Sequence, residues 1–247
     1  MGAATRRREI GHSGRVAAPR DDDLTFAVIE SQKRFYDLWA PNYLTGGPSD
    51  RKGHDTGIAL RDLDVRAIVD ELEPTGEVLE LGCGPGGFTR ELARHARLVT
   101  AVDSSRTMLA RNESEVARPN VRYIQADVLE WEPDATYDVV FFGFLLSHVP
   151  PVLFEQFWRL VRTCLRPNGR VAFVDEDDRV AHYDDVRVAA GVPIARRRLR
   201  DGQEFDIVKI FWAPQELAAT LRDLGWNIDV RRIGDSYLYG AGDCDRL

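Results

Sequence analysis

The sequence of 247 residues has few cysteines, no excess of positive charge and no long apolar run. Its three cysteines have neither a disulfide framework nor the spacing of metal ligands, which indicates a reducing, cytoplasmic setting. A formal net charge of −7 argues against general nucleic-acid binding. No apolar run approaches the roughly 20 residues that a membrane-spanning helix needs. We therefore expect a cytoplasmic protein whose partner is neither nucleic acid nor membrane.

The N-terminal segment 1–22 is predicted to be a disordered leader. It carries the basic run Arg6–Arg8 but lacks the apolar core of a secretory signal, and a basic arm that binds an acidic partner is the alternative. Residues 23–247 contain no internal repeat or linker, and an apolar fraction of 44% is ample for one core. We interpret them as a single domain, present as a monomer or a homodimer.

Strands and helices alternate along this domain, which predicts an α/β fold with a doubly wound parallel sheet. The predicted helices are Leu24–Leu38, Asp62–Leu72, Phe88–His95, Arg106–Val116, Val152–Leu165 and Pro214–Leu224. The predicted strands are Glu77–Leu81, Leu98–Val102, Val121–Gln125, Tyr137–Phe142, Arg170–Val174, Asn227–Val230 and Ser236–Tyr239. The last two strands follow each other closely, so we expect them to form an antiparallel pair at one edge of the sheet.

A long connection interrupts this alternation between Asp175 and Trp212. It exceeds what a simple link from a strand to a helix requires. Within it, Ile194–Arg200 and Phe205–Phe211 flank Asp201-Gly202, which is a strong hairpin signal. The sequence therefore predicts an inserted β-hairpin at about residues 177–212.

A glycine-rich turn follows the first predicted strand and leads into a helix. Gly82, Gly84, Gly86 and Gly87 leave the backbone open to a ligand, and such a turn is a nucleotide-binding device. The spacing of Gly82, Gly84 and Gly87 also satisfies the dinucleotide pattern, so a nicotinamide-dependent oxidoreductase is one alternative. Acidic residues near the strand ends distinguish between these ligands.

Three carboxylates near strand ends favour a different nucleoside ligand. Glu80 stands two places before the first glycine, and Asp103 ends the second strand, where it can accept both ribose hydroxyls. Asp127 is followed by the apolar Val128 after the third strand. This pair suits adenine, because the acid can accept the exocyclic amine while the apolar wall and a backbone N–H hold the ring.

Five short runs occur in order along the chain: Glu80–Gly86, Asp103–Ser104, Gln125–Asp127, Tyr137–Phe141 and Leu165–Gly169. Together they resemble the ordered motifs of class I S-adenosylmethionine-dependent methyltransferases, over about Leu24–Ala241. This resemblance implies S-adenosylmethionine as cofactor. It also implies a Rossmann-like, seven-stranded sheet with helices on both faces, a reversed last strand and an N-terminal helical lid.

The same resemblance assigns the Gly82–Gly86 loop to the methionine part of the cofactor. The cofactor-binding residues that we expect are Tyr36, Glu80, Gly82, Cys83, Gly84, Gly86, Asp103, Ser104, Met108, Asp127, Val128 and Phe144. Glu80 has an alternative role, because a carboxylate at a strand end can orient the loop without touching the ligand.

The chemistry of methyl transfer determines which side chains the acceptor site needs. A neutral hydroxyl needs a base, whereas an oxyanion needs cations that hold it and a closed site that removes its water. A two-residue turn in the hairpin would put Arg196, Arg198 and Lys209 on one face. A three-residue loop would instead put Arg197 and Lys209 on one face, and sequence alone does not choose between them.

Further runs resemble the phosphonate O-methyltransferases of dehydrophos biosynthesis and their actinobacterial relatives. These runs are Ile29–Gln32, Phe35-Tyr36, Ser147–Pro150, Phe157-Trp158, Asp201-Gly202 and Ile207–Phe211. The resemblance implies a small anionic natural-product metabolite as acceptor, held by Arg197 and Lys209, a three-residue hairpin loop and a role in antibiotic biosynthesis. The chain departs from these relatives in its longer Asp175–Ala190 segment and its basic leader.

Other candidate residues lie near the expected acceptor position. His148 follows the fourth strand and is a candidate base or hydrogen-bonding residue, while Tyr36 and Tyr43 are expected to line the acceptor site from the lid. The acidic run Asp175–Asp178 is interpreted as a solvated loop, with a Mg²⁺ site as the alternative. Two alternative functions stay open: methylation of a neutral sugar or polyketide hydroxyl with His148 as base, and ligand binding without catalysis.

Overall fold

The computed structural model describes residues 21–40 and 63–244. Residues 1–20 of the predicted leader, and Tyr43 of the predicted acceptor site, lie outside the described residues. None of the described helices is both long enough and apolar enough to cross a membrane.

Six α-helices and ten strands make up the described part of the chain. The helices are α1 (Asp21–Trp39), α2 (Val65–Leu72), α3 (Thr89–His95), α4 (Arg106–Val116), α5 (Phe154–Thr163) and α6 (Pro214–Asp223). The first strands are β1 (Glu77–Leu81), β2 (Leu98–Asp103), β3 (Val121–Gln125), β4 (Tyr137–Gly143) and β5 (Leu165–Glu176). The others are β6 (Val186–Ala189), β7 (Val192–Arg198), β8 (Glu204–Val208), β9 (Trp226–Ile233) and β10 (Tyr237–Cys244). Short 3₁₀ turns cover Leu146–His148, Pro151–Leu153 and Asp178–Tyr183.

Seven of the strands form one sheet in the order β3-β2-β1-β4-β5-β10-β9. Strands β1 to β5 pair in parallel, whereas β10 runs antiparallel to both β5 and β9. The predicted seven-stranded sheet with a reversed last strand is confirmed. The carboxyl ends of β1, β2 and β4 meet at one edge, where parallel sheets hold their ligands.

Both faces of this sheet are covered by helices, as predicted. Neighbouring residues of a strand point to opposite faces, so Phe142 packs with Phe157 and Trp158 of α5, while Phe141 packs on the side of α2, α3 and α4. Both faces of the central strands are therefore apolar, which explains their continuous hydrophobic sequence. This packing fixes the strand ends that carry the site.

The predicted insertion is a three-stranded antiparallel sheet with the order β6-β7-β8. Arg197 pairs with Phe205, and the loop closes through the Leu199 N–H to Gln203 O bond of 2.9 Å. This register confirms the three-residue loop Arg200–Gly202, with Gly202 at a φ of 87°. The additional strand β6 escaped prediction because it has only four residues, of which three are exposed.

Helix α1 packs along the insertion and supplies hydrogen-bond acceptors for its edge strand β8. The N–H of Asp206 donates to Ser31 Oγ and the N–H of Val208 to Gln32 Oε1, both at 3.0 Å. Phe35 and Trp39 pack against the face of the insertion that carries Phe205. Because the outward N–H groups of an edge strand need partners, these bonds join helix and insertion into one unit.

Candidate active site

A cavity lies between α1 and the carboxyl ends of β1, β2 and β4. Its wall consists of Ile29, Gln32, Lys33, Tyr36, Gly82, Gly84, Asp103, Ser104, Met108, Asp127, Val128, Leu129, Gly143, Phe144, Leu145, His148 and Val149. The wall therefore includes ten residues that the sequence predicted for cofactor or acceptor. Glu80, Cys83, Gly86, Arg197 and Lys209 do not belong to this wall.

Glu80 lies beneath the glycine loop instead of facing the cavity. It is buried and accepts a hydrogen bond of 2.6 Å from the Thr89 hydroxyl. Burial raises the pKa of this carboxyl to about 8, despite the opposing effect of the Thr89 bond. The arrangement supports the alternative role predicted for Glu80, in which it orients the loop.

Asn112 of α4 ties this loop to the rest of the fold. Its side-chain amide donates to Gly84 O at 3.1 Å and to Thr89 Oγ1 at 2.8 Å, and its oxygen accepts the Tyr123 hydroxyl at 2.9 Å. Asn112 is completely buried and every polar atom of its side chain has a partner. The sequence offered no motif for this residue, because a polar side chain within a charged helix normally faces solvent.

Asp103 is positioned by backbone N–H groups at the end of β2. Its two carboxylate oxygens accept from Gly84 N and Ser105 N, each at 2.9 Å. Burial raises the pKa of Asp103, and these N–H bonds counteract the effect. A carboxylate oxygen accepts more than one hydrogen bond, so Asp103 can also accept from hydroxyl groups in the cavity.

His148 is neutral and has a defined tautomer. Its Nδ1 lies 2.7 Å from the carbonyl oxygen of Val208, so Nδ1 carries the proton and donates it. The Tyr36 hydroxyl then donates to Nε2 at 2.8 Å. Burial, together with the positive charge of Lys209, lowers the pKa of His148 to about 3.

Arg197 and Lys209 lie on the same face of the insertion, close to His148 but behind the cavity wall. Both are almost completely buried, with about 5% and 4% of each residue exposed. Arg197 forms a two-pronged ion pair with Asp184 at 2.8 and 2.9 Å. Lys209 Nζ lies 2.7 Å from Glu176 and donates to Ser147 Oγ at 3.0 Å. Each cation therefore already has a carboxylate partner.

The acidic run Asp175–Asp178 is not a solvated loop, and that prediction was wrong for its first three residues. Strand β5 continues to Glu176 because β10 pairs with it there. Asp175, Glu176 and Asp177 are buried, and they bind the Ser147 N–H, Lys209 and Arg179 respectively. Within the described residues, no group of three His, Cys, Asp or Glu converges as a metal site would require.

Comparison with known proteins shows which family shares this arrangement. A methyltransferase-domain family model matches residues 78–169. Two structures of DhpI, one in complex with SAH and one with SAM and HEP, are 35% and 37% identical to the chain. The similarity covers 89% and 87% of this chain and 98% and 97% of theirs, with TM-scores of 0.75 and 0.74. The chain belongs to the class I S-adenosylmethionine-dependent methyltransferases.

A curated relative of this methyltransferase is the trans-aconitate 2-methyltransferase of Escherichia coli O157:H7. The two are 36% identical over 103 residues, which make up 41% of this chain but only 39% of the relative. The PH0226 protein from Pyrococcus horikoshii OT3 shares the fold, at 19% identity and a TM-score of 0.62. S-adenosylmethionine is the cofactor of the family, so the prediction of this cofactor is confirmed.

Two glycines of the methyltransferase loop offer a matched test of why they are needed. A Cβ on Gly86, at φ 97°, would lie 2.7 Å from Asn112 Oδ1 and 2.8 Å from Val116 Cγ2, whereas a Cβ on Gly84, at φ 49°, would meet no atom within 4 Å. Gly86→Ala should therefore lower the free energy of unfolding by about 2–4 kcal/mol, and Gly84→Ala by only about 1 kcal/mol. Chemical denaturation measures both, and equal losses would contradict this account.

Burial of neutral His148 predicts how stability depends on pH. The pKa in the folded protein, about 3, is below the unfolded value of 6.5, so the unfolded chain binds the extra proton as pH falls below 6.5. This group should therefore destabilise the fold by roughly 1.4 kcal/mol for each pH unit below 6.5, down towards pH 3. Urea denaturation at about pH 7 and pH 5 should show a smaller pH effect in His148→Gln than in the wild type. Identical pH effects would contradict this account, because they would mean that His148 has the same pKa in the folded and the unfolded states.

Proposed function

We propose that this methyltransferase transfers the methyl group of S-adenosylmethionine to an oxyanion, a phosphonate or carboxylate, of a small natural-product metabolite. The Gly82–Gly86 loop would hold the methionine part, and Asp103 with Ser104 the ribose hydroxyls. Asp127 and Val128 would hold adenine. Tyr36, Met108 and Phe144 lie in the wall of the same cavity, which supports their predicted contact with the cofactor.

One observation favours an anionic acceptor over a neutral hydroxyl. The charges of Lys209 and Arg197 both lower the pKa of His148, each more strongly than the charge of Glu176 raises it, in addition to the larger effect of burial. His148 belongs to the cavity wall, so a positive potential reaches this end of the cavity despite the carboxylate partners of both cations. An anion is the ligand that such a potential favours.

Neither cation lines the cavity wall, but Lys209 is better placed than Arg197 to bind an acceptor that reaches past His148. An ammonium has three N–H groups, and among the described residues Glu176 and Ser147 accept two of them. Arg197 is held by Asp184 through both of its terminal nitrogens. We therefore assign Lys209 to hold the oxyanion, while Arg197 adds positive potential and keeps the insertion in place.

The reaction with an oxyanion requires positioning more than proton transfer. Methyl transfer from a sulfonium is an in-line displacement, and orientation of the two reactants can supply roughly 7–11 kcal/mol of the barrier. An oxyanion already has the lone pair that attacks the methyl carbon. Lys209 would hold its charge, and α1 would keep water out of the cavity.

The relatives support this proposal. DhpI has been crystallised with SAM and HEP, and it aligns with 87% of this chain. The shorter similarity to a trans-aconitate 2-methyltransferase adds a relative whose name gives a carboxylic acid as acceptor. The name of this second relative fits a methyltransferase that acts on an anionic oxygen.

The alternative acceptor, a neutral hydroxyl with His148 as base, is less well supported. A base is most efficient when its pKa lies near the working pH, and the pKa of His148 is about 3. Its Nε2 also accepts a hydrogen bond from Tyr36, so the lone pair that a base would use is occupied. His148 therefore fits a role in positioning Tyr36.

A methyl-transfer screen tests the proposed function. The protein should be incubated with S-adenosylmethionine and matched panels of phosphonates, carboxylates and neutral hydroxyl compounds, with mass detection of the methylated product. We expect products in the anionic panels. Methylation confined to the neutral panel would contradict the proposal.

A further inference from the structure

Lys33 of α1 is a charged residue of the cavity wall that the sequence did not indicate. Its Nζ lies 3.0 Å from Asp127 Oδ2, and it also pairs with Glu30 one turn earlier. Ile29, Gln32 and Tyr36 belong to the same face of α1 and line the cavity beside it. Lys33 therefore meets Asp127 inside the cavity, from the opposite wall.

The contact places a hydrogen-bond donor next to an acceptor. Asp127 Oδ1 accepts the N–H of Leu129 at 3.0 Å, and Oδ2 accepts from Lys33 while retaining a second lone pair. Lys33 has three N–H groups, of which Glu30 and Asp127 accept two. The ammonium and the carboxylate thus each keep capacity for a ligand at adjacent positions.

Adenine presents the complementary pattern on its edges, because its exocyclic amine is a donor that stands beside a ring nitrogen acceptor. We propose that Lys33 is a further cofactor-binding residue, which donates to an adenine ring nitrogen while Asp127 accepts the neighbouring amine. This inference rests on the proposed placement of adenine at Asp127 and Val128. It makes the helix α1 part of the base-recognition site as well as a cover over it.

The competing explanation is that Lys33 only holds α1 against Asp127 and makes no contact with the cofactor. In that case adenine would have to displace Lys33 from Asp127, and removal of the ammonium would improve cofactor binding. If Lys33 instead binds the base, its removal must weaken cofactor binding. That loss must also depend on the one adenine ring nitrogen that Lys33 contacts. The two explanations therefore predict opposite signs.

Calorimetric titration with S-adenosylhomocysteine distinguishes them. Lys33→Met should weaken binding roughly tenfold or more, as expected for one hydrogen bond to a charged group. Arg34→Met is the matched control, since Arg34 is an exposed cation of the same helix outside the cavity wall, and its affinity should stay unchanged. Unchanged or tighter binding by Lys33→Met would overturn the inference.

Modified cofactors separate a base contact from a general loosening of α1. Two S-adenosylhomocysteine analogues, each with one ring nitrogen beside the amine replaced by carbon, should be titrated into both proteins. For the analogue that lacks the contacted nitrogen, the wild type and Lys33→Met should bind equally well. An equal loss for S-adenosylhomocysteine and both analogues would overturn the inference, because it would mean that Lys33 acts only on the position of the helix.

The placement of adenine is tested by a separate variant. An analogue without the exocyclic amine should bind the wild type more weakly than S-adenosylhomocysteine, and Asp127→Asn should reduce this preference. If Asp127→Asn keeps the full preference for the amine, adenine lies elsewhere and both assignments fail. If the preference disappears but Lys33→Met binds normally, only the assignment of Lys33 fails.

Discussion

Replacement of Lys209 by methionine should lower kcat/KM for an anionic acceptor about 100-fold. The ammonium is buried beside the cavity, and a charge-assisted hydrogen bond to an oxyanion contributes about 1.5–3 kcal/mol. Methionine keeps the length of the side chain and removes the charge. The affinity for S-adenosylhomocysteine should be unchanged, because Lys209 does not line the wall where the cofactor is placed.

A second variant keeps this test interpretable. Lys209→Met alone leaves Glu176 buried without its ammonium partner, and such a broken pair costs about 3–5 kcal/mol of stability. The double variant Lys209→Met/Glu176→Gln removes both charges and should recover much of that stability. It should still lack activity on the anionic acceptor. Wild-type turnover by a folded double variant would show that Lys209 does not bind the acceptor.

Arg196→Met is the matched control on the same insertion. Arg196 precedes Arg197 on β7 and points to the other face, where it is exposed and paired with Asp206. Surface ion pairs of this kind contribute about 0–1 kcal/mol. Neither kcat/KM nor stability should change appreciably in this variant, so a loss in Lys209→Met can be assigned to the buried face.

Asp103→Asn should weaken S-adenosylhomocysteine binding about 100-fold. Asp103 would accept two ribose hydroxyls, and an amide offers only one oxygen acceptor where the carboxylate offers two. The amide nitrogen would also face one of the N–H groups of Gly84 and Ser105, which the carboxylate now accepts. Titration calorimetry measures the loss, with thermal denaturation as a check that the protein is folded.

Glu80→Gln is the control for Asp103→Asn. Glu80 belongs to the neighbouring strand but is absent from the cavity wall. With a pKa of about 8 it is already largely protonated at neutral pH, so an amide of the same shape should keep affinity within about threefold. An equal loss in both variants would mean that the cofactor does not distinguish the two carboxyl groups, and the placement of the ribose at Asp103 would be wrong.

The sequence predicted the central sheet and the glycine loop well, because their signals are local. The apolar run Glu77–Leu81 and the glycines after it depend on burial and backbone conformation alone. The sequence did not determine which face of the insertion carries which arginine, since a shift of one residue in the register puts Arg196 where Arg197 would be. That choice is made by the three-residue loop and by contact with α1, which is distant in sequence.

The missed features all depend on such distant contacts. Gln32 and Lys33 look like solvent-facing residues of an amphipathic helix until the insertion and Asp127 are brought against them. Glu176 looked like part of a solvated acidic run because its partner, Lys209, lies 33 residues further along the chain. Polar pairs of this kind carry no periodic signal, so only the fold reveals them.

The chain's two candidate sites meet on α1. Lys33 in the interior of this helix contacts Asp127, and Tyr36, one turn further along, contacts His148. Gln32, directly before Lys33, donates to His148 O at 3.3 Å and accepts from Val208 N of the insertion at 3.0 Å. The position of α1 therefore determines both how the cofactor cavity is covered and how the acceptor site is formed.

An acceptor that carries both an anionic group and a neutral hydroxyl tests the central claim most directly. A hydroxyalkylphosphonate and a hydroxy acid should be supplied with S-adenosylmethionine whose transferable methyl group is isotopically labelled, and the product examined by NMR. Our account predicts the label on an oxygen of the phosphonate or carboxylate, as a methyl ester. A label on the hydroxyl oxygen, as a methyl ether, would contradict it.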